Sequence, residues 1–261
     1  MPSFVPVTYE KHSEIRITLP PEGLVEFTNI SLLPIYDLEI PQLAVSFPLV
    51  FASEAEGYTL SLLCSLSGDM PNAWIDHDGK WVGRYLPAII RQRPFTSLVN
   101  DKDELELCID EDSPLIADEG TPLFKNESPT KYLETAREFL PALYGSGNRT
   151  GRVMRLLQGL DLITSWEVQC SKQDNTSFKV EGLFRIDEDK LKQLNDEDWL
   201  SLRDQGAMPI IYGQLFSMAN LQTLANNLES KINYTKDLKI SQESFNFALG
   251  GDGDTLNFDD M

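Results

Sequence analysis

Residues 72–95 read NAWIDHDGKWVGRYLPAIIRQRPF, and the way this stretch turns decides the fold. Asp78-Gly79 is a strong short-hairpin signal, because glycine takes the positive φ of a tight turn without a steric penalty. Pro87 suits the first turn of a short helix through Ile89, Ile90 and Gln92. That helix must stop before Pro94, which disfavours the α conformation at Arg93. A hairpin followed by so short a helix marks the first part of the chain as strand-rich.

Upstream, Ile15, Ile17 and Leu19 alternate with Arg16 and Thr18, which predicts a half-buried strand over His12–Leu19. Pro20-Pro21-Glu22-Gly23 then forces a turn. Pro41 to Phe51 is apolar and short, a buried helix or strand that periodicity does not separate. Tyr58 to Leu66 puts Tyr58, Leu60, Leu62, Cys64 and Leu66 on one face of a strand, with Ser61 and Ser65 on the other. Downstream, Glu104–Asp110 alternates cleanly and is another strand.

After Pro114 helical signals take over. Ser128-Pro129 reads as a cap and first-turn proline of a helix carrying Leu133, Ala136, Leu140 and Leu143. Pro141 is expected to end or kink it, and Gly145-Ser146-Gly147 to connect it to a second helix over Arg152–Leu162. Trp166–Cys170 and Phe178–Ile186 read as a hairpin turning at Asp174-Asn175. Asp187 and Asp196 cap two further helices, the second ending at Gly206, and the longest helix runs from Pro209 to about Ile232. The expectation is an α+β fold: a mixed, largely antiparallel sheet from the N-terminal half plus a hairpin, packed by C-terminal helices. It occupies one domain, residues 1–240, followed by an acidic flexible tail, 241–261.

Forty-one acids against 22 bases give a formal charge of −19 in 261 residues. Such a surface repels phosphate backbones, so nucleic acid is not expected as a partner. MPSFVPVTYEKHSE carries no secretory pattern, and the longest apolar run, within Ile40–Ala52, is too short and too broken by prolines to span a membrane. Cys64, Cys108 and Cys170 lie far apart without a C-x-x-C spacing and read as reduced, buried thiols. A soluble, cytoplasmic protein is expected. The last 21 residues, SQESFNFALGGDGDTLNFDDM, hold five acids, three Phe and no Lys or Arg. They read as a disordered terminus or as a partner-binding motif around Leu256-Asn257-Phe258.

Only two histidines, His12 and His77, are present, and neither stands in an H-x-D or H-x-E pattern. No thiolate zinc spacing, G-x-S-x-G elbow or phosphate loop occurs. Asp76-His77-Asp78-Gly79 and Gly250–Gly253 resemble fragments of calcium loops but lack the closing Glu, and read as turns. No metal and no cofactor are expected. What remains is the aromatic–cationic cluster of Trp74, Trp81, Arg84, Tyr85, Arg91 and Arg93. If the chain after Gly79 is extended, Trp81, Gly83 and Tyr85 share a face that Trp74 can join across the hairpin, with Arg84 opposite and Arg91 and Arg93 nearby. Rings and guanidinium forks together suit a carboxylate-bearing, partly apolar ligand. The competing reading makes the rings core and pairs the arginines with the chain's own acids.

The strings FPLVF, GRYLPAIIRQRPF, LELCIDEDSPL and the block from Glu181 to Leu224 resemble the SapC family of bacterial proteins. The resemblance spans about Phe47–Leu228; it implies a single domain and brings no catalytic residue set. It also associates such proteins with halogenase-like and oxygenase-like neighbours. The expected function is that of a non-catalytic binding or accessory protein recognising a peptide or protein partner through the aromatic–arginine surface. One alternative is a metal- or carboxylate-dependent enzyme of oxygenase or transferase type using Asp76, His77 and Asp78 alongside a halogenase/oxygenase system. Another is a surface-layer-associated structural protein.

Overall fold

The computed structural model describes residues 3–18, 23–171 and 177–234. In chain order come β1 (Phe4–Pro6), α1 (Tyr9–His12), β2 (Arg16–Ile17), β3 (Leu32–Pro34), α2 (Ile40–Leu43), β4 (Leu49–Glu54), β5 (Gly57–Leu63), α3 (Ala88–Arg91), β6 (Phe95–Val99) and β7 (Leu105–Asp110). Four short strands follow, β8 (Ile116–Ala117), β9 (Thr121–Pro122), β10 (Phe124–Lys125) and β11 (Ser128–Pro129). The remainder is α4 (Lys131–Gly159), β12 (Ile163–Ser171), β13 (Ser177–Ile186), α5 (Glu188–Lys192), α6 (Asp196–Asp204), α7 (Met208–Ser217) and α8, a helix over 221–234.

The fold is α+β. The strands form several sheets, and every named pairing is antiparallel. A five-stranded sheet has the order β12-β13-β4-β5-β3, so the late hairpin does join the early strands; β1-β7-β6, β8-β2-β9 and the β10-β11 hairpin stand apart from it. The hairpin's turn at Asp174-Asn175, the Cys170 side chain and residues 241–261 lie outside the described residues. Cys64 and Cys108 are free and buried.

Five expectations change. Within the described residues the strand expected over His12–Leu19 is only β2, its start displaced because Thr8 caps a helical turn over Tyr9–His12; Leu19 and the turn at Pro20-Pro21-Glu22 lie outside the described residues. Along β5, Leu60, Ser61, Leu62 and Leu63 are all buried rather than alternating, since β5 lies between β4 and β3 and α4 runs against it. Ser128-Pro129 is strand rather than helix start, and α4 begins at Lys131 and continues through Pro141 for 29 residues. Pro141 and Arg137, whose carbonyl loses its i+4 donor, are both exposed, so water can satisfy that carbonyl. The expected Gly-Ser-Gly connector is part of the helix. Gly147 lets the Tyr36 ring approach, and Ser146 Oγ and Thr150 Oγ1 accept from the N–H groups of Leu38 and Asp37 (3.3 and 2.8 Å). The longest helix is therefore α4. The helix expected from Pro209 to Ile232 breaks at a 3-10 turn, Met218–Asn220, where Asn220 Nδ2 donates to the carbonyls of Ala44 and Phe47.

Two hydrophobic clusters result. One surrounds the five-stranded sheet with Phe47, Phe51, Leu62, Trp74, Leu157 and Ile210; the other gathers Ile17, Phe95, Ile109, Leu115, Leu133 and Leu140. Helix α7 closes the first cluster in an unusual way. The ladder between β13 and β4 has only two pairs, and beyond it Gln214 accepts from the Ile186 N–H (3.0 Å) and donates to the Leu49 carbonyl (3.4 Å). Ser217 Oγ accepts from the Leu49 N–H at 2.9 Å. Side chains on the buried face of α7 thus stand in for missing ladder bonds. We expect Gln214→Leu to strand two buried backbone groups and lower stability by about 2–4 kcal/mol, measured by urea denaturation, with Gln214→Glu no better at neutral pH.

Candidate functional site

The Asp78-Gly79 hairpin forms as the sequence predicts. Ile75 bridges Trp81, the Val82 N–H donates to the Trp74 carbonyl, and Asp76 Oδ1 accepts from the N–H groups of Asp78 and Lys80. Those N–H donors hold the Asp76 carboxyl below the usual carboxylate range. Gly79 has φ +74°, and its carbonyl accepts from Leu24 N–H at 2.8 Å. Gly23, at φ +69°, allows that approach; a Cβ there would sit 2.5 Å from the Gly79 oxygen.

The aromatic–cationic residues divide in two. Trp74 is 3% exposed, donates Nε1–H to the Leu63 carbonyl (3.0 Å) and meets Phe47 edge-on. It is core, and the shared solvent-facing platform of Trp74 and Trp81 does not form. The reason is register: Ile75, not Trp74, stands opposite Trp81, and Trp74 faces Val82, so the two rings are not cross-strand partners. Trp81 is half-buried, with its indole N–H on the Tyr85 carbonyl (2.9 Å). Gly83 crosses the Phe47 ring so closely that a Cβ would lie 2.3 Å from it.

The guanidinium of Arg91 lies 4.9 Å from the centroids of both Tyr85 and Phe139, and its Nη2 donates to the Tyr85 hydroxyl at 2.6 Å. Arg93 pairs with Glu26 and lies over Phe27. Arg84 is exposed and makes no ion pair among the described residues.

Trp81, Arg91 and Arg93 converge on a cleft of about 710 Å³. It lies at the seam of the two hydrophobic clusters: Leu24, Trp81 and Ile90 line it from the first, Ile17, Phe95, Leu115 and Leu140 from the second. One wall is α4, presenting Tyr132, Thr135, Ala136, Phe139 and Leu140; the facing wall is the hairpin and α3. Among the described residues the lining carries three cations, Lys80, Arg91 and Arg93, against one carboxylate, Glu26. Sequence reasoning missed the α4 wall. Its signal was present: Tyr132, Ala136 and Phe139 form an apolar stripe beside the buried Leu133–Leu140–Leu143 stripe, wider than one core contact needs.

Behind the cleft lies Glu39, fully buried. It accepts from the N–H of Ala88, the first residue of α3 (2.6 Å), and from the Tyr36 N–H (3.4 Å), and it is within reach of the Tyr85 hydroxyl. Burial pushes its carboxyl up; those donors and the Arg91 charge oppose the rise only in part. Burial and then the Glu39 charge push the Tyr85 phenol up too.

His77 stacks on Tyr234 at 4.7 Å and lies 3.6 Å from Asp78. Among the described residues no three His, Cys, Asp or Glu side chains converge as metal ligands. Among them, too, no helix is long and apolar enough to cross a membrane.

A family model described as SapC matches residues 7–224. The chain belongs to the SapC family. The SapC match takes in both walls of the cleft, Glu39 and α7, and ends within α8. No curated protein and no solved structure matches the chain.

Because folding raises the Glu39 pKa above its ordinary 4.5, the folded protein holds this proton more tightly than the unfolded chain. The contribution of Glu39 to stability is therefore full below pH 4.5 and is lost as pH rises through the folded value. Glu39→Gln removes that dependence: the wild-type stability minus that of the variant, from urea titrations at stepped pH, should fall as pH climbs from 4 towards 7.

Proposed function

We propose that this SapC-family protein is a non-catalytic, cytoplasmic binding protein whose cleft receives an apolar, preferably aromatic, segment of a peptide or protein partner, with an acidic group of that partner against Arg91. The observation that carries this reading is the charge of the cleft: among the described residues it is lined by three cations and one carboxylate around an apolar floor, in a chain whose formal charge is −19. In so acidic a molecule a locally cationic hollow favours an anionic guest and steers its approach.

The individual side chains support the same guest. Arg93 is already matched by Glu26, so it has less charge to offer. Among the described residues Arg91 makes no ion pair, and its guanidinium lies 4.9 Å from two ring centroids with Nη2 on the Tyr85 hydroxyl, which leaves its other donors for a ligand carboxylate with little further loss of freedom. A buried aromatic anchor with an arginine beside it is the usual composition of an interface hot spot.

Synthetic nonapeptides differing in acid and aromatic content, titrated against the full chain by fluorescence anisotropy, test this. Peptides combining Phe or Leu with Asp or Glu should bind, and Arg91→Ala should weaken them about tenfold, or about 1.4 kcal/mol. Arg84→Ala, outside the cleft lining, should change the affinity by less than about twofold. Equal binding of neutral and acidic peptides, or indifference to Arg91→Ala, would remove the basis of this function.

A further inference from the structure

The cleft has a candidate occupant in its own chain. We infer that Leu256–Asp260, Leu-Asn-Phe-Asp-Asp, docks into it and competes with the external partner; this rests on the cleft being a peptide site, as proposed above.

The described chain ends beside the cleft. Tyr234, the last described residue, stacks on His77, and Lys231 Nζ donates to the Asn72 and Ile75 carbonyls, which fixes the end of α8 on the hairpin. Gly79 and Lys80 of the same hairpin line the cleft. Only Asp78 separates His77 from Gly79, two Cα–Cα steps of at most about 7.6 Å in all. Phe258 follows Tyr234 by 24 residues. Twenty-four residues reach at most about 79–86 Å, so the length of chain does not prevent Phe258 from reaching the cleft.

Charge follows the same route. Next to His77 the surface carries Asp76 and Asp78 beside Lys80, and the first residues after Tyr234 include Lys236 and Lys239 against Asp237, so the two are of opposite net sign. Farther on, the cleft carries Lys80, Arg91 and Arg93, and from Ser241 onward the chain holds acids and no bases. The sign of the charge therefore reverses in the same order along surface and chain. Phe258 followed directly by Asp259 and Asp260 also meets the chemistry of the site: a ring for the apolar floor and carboxylates for the guanidinium of Arg91. An intramolecular ligand on such a connection acts at an effective concentration of about a millimolar, so even a weak self-contact masks the site appreciably.

The probe is a fluorescein-labelled peptide of residues 252–261, measured by anisotropy against the full wild-type chain and a full-chain variant carrying Phe258→Ala, Asp259→Asn and Asp260→Asn. The variant should bind the probe about tenfold or more tighter than wild type, with the gain abolished by Arg91→Ala or by Ala136→Trp, which fills the cleft. The masking should be independent of protein concentration. Masking that grows with concentration would mean that a second copy supplies the segment, and would overturn the intramolecular form. If acidic–aromatic nonapeptides bind both proteins equally, self-docking is refuted and the cleft reading stands. If neither these nor the probe bind either protein, both fail.

Discussion

The carboxylates of Asp37 and Glu39 leave one short turn and hold two different elements. Asp37 accepts a bidentate pair of bonds from Arg149 (2.9 and 3.1 Å) and a bond from the Ser146 hydroxyl, which fastens α4. Glu39 accepts from the N–H of Ala88 and so positions the start of α3. Because α4 and α3 form facing walls of the cleft, its width is set by this turn. Burying the Glu39 carboxyl is costly unless donors surround it, and here two backbone N–H groups and the Tyr85 hydroxyl do so. The same hydroxyl receives Arg91, so the buried acid and the exposed guanidinium belong to one hydrogen-bonded chain.

That connection bears on recognition. A guanidinium free in solvent loses side-chain entropy when it binds, and exposed ion pairs contribute little for that reason. Arg91 has already lost much of that freedom to the Tyr85 and Phe139 rings, and the rings are held by the core and by α4. Rigid cations over an apolar floor gain more from an anionic guest than the same charges would on a mobile surface. The surrounding acidity of the chain sharpens the contrast, since it makes the cleft a local exception in the field.

Much of the local structure was legible because its causes are local. Asp78-Gly79 turns where a positive φ is needed, Asp187 accepts from the N–H groups of Asp189 and Lys190 at the head of α5, and Gly206 ends α6 at φ +74°. The continuity of α4 was not legible. Whether Pro141 breaks a helix depends on what faces the carbonyl it leaves unpaired, and whether Gly145-Ser146-Gly147 loosens it depends on what packs there. Both answers lie in other parts of the chain, in the solvent beside Arg137 and in the Tyr36–Glu39 turn. Trp74 misled for a related reason: it and Trp81 have equal claims on a surface by sequence and both meet the Phe47 ring, and only the hairpin register and the Leu63 carbonyl separate them.

By itself the sequence determined the α+β class, the hairpin and the neighbourhood of Trp81, Arg91 and Arg93, since these follow from turn chemistry, periodicity and a few dense residues; the family follows from the likeness of whole strings to SapC over residues 7–224. Tertiary structure alone decided that Trp74 is core, that Arg93 pairs with Glu26 while Arg91 lies against two rings, and that α4 supplies the opposite wall. Cleft-forming contacts join residues far apart in the chain, such as Arg91 with Phe139 and Arg93 with Glu26, and no short-range pattern encodes which distant surfaces meet.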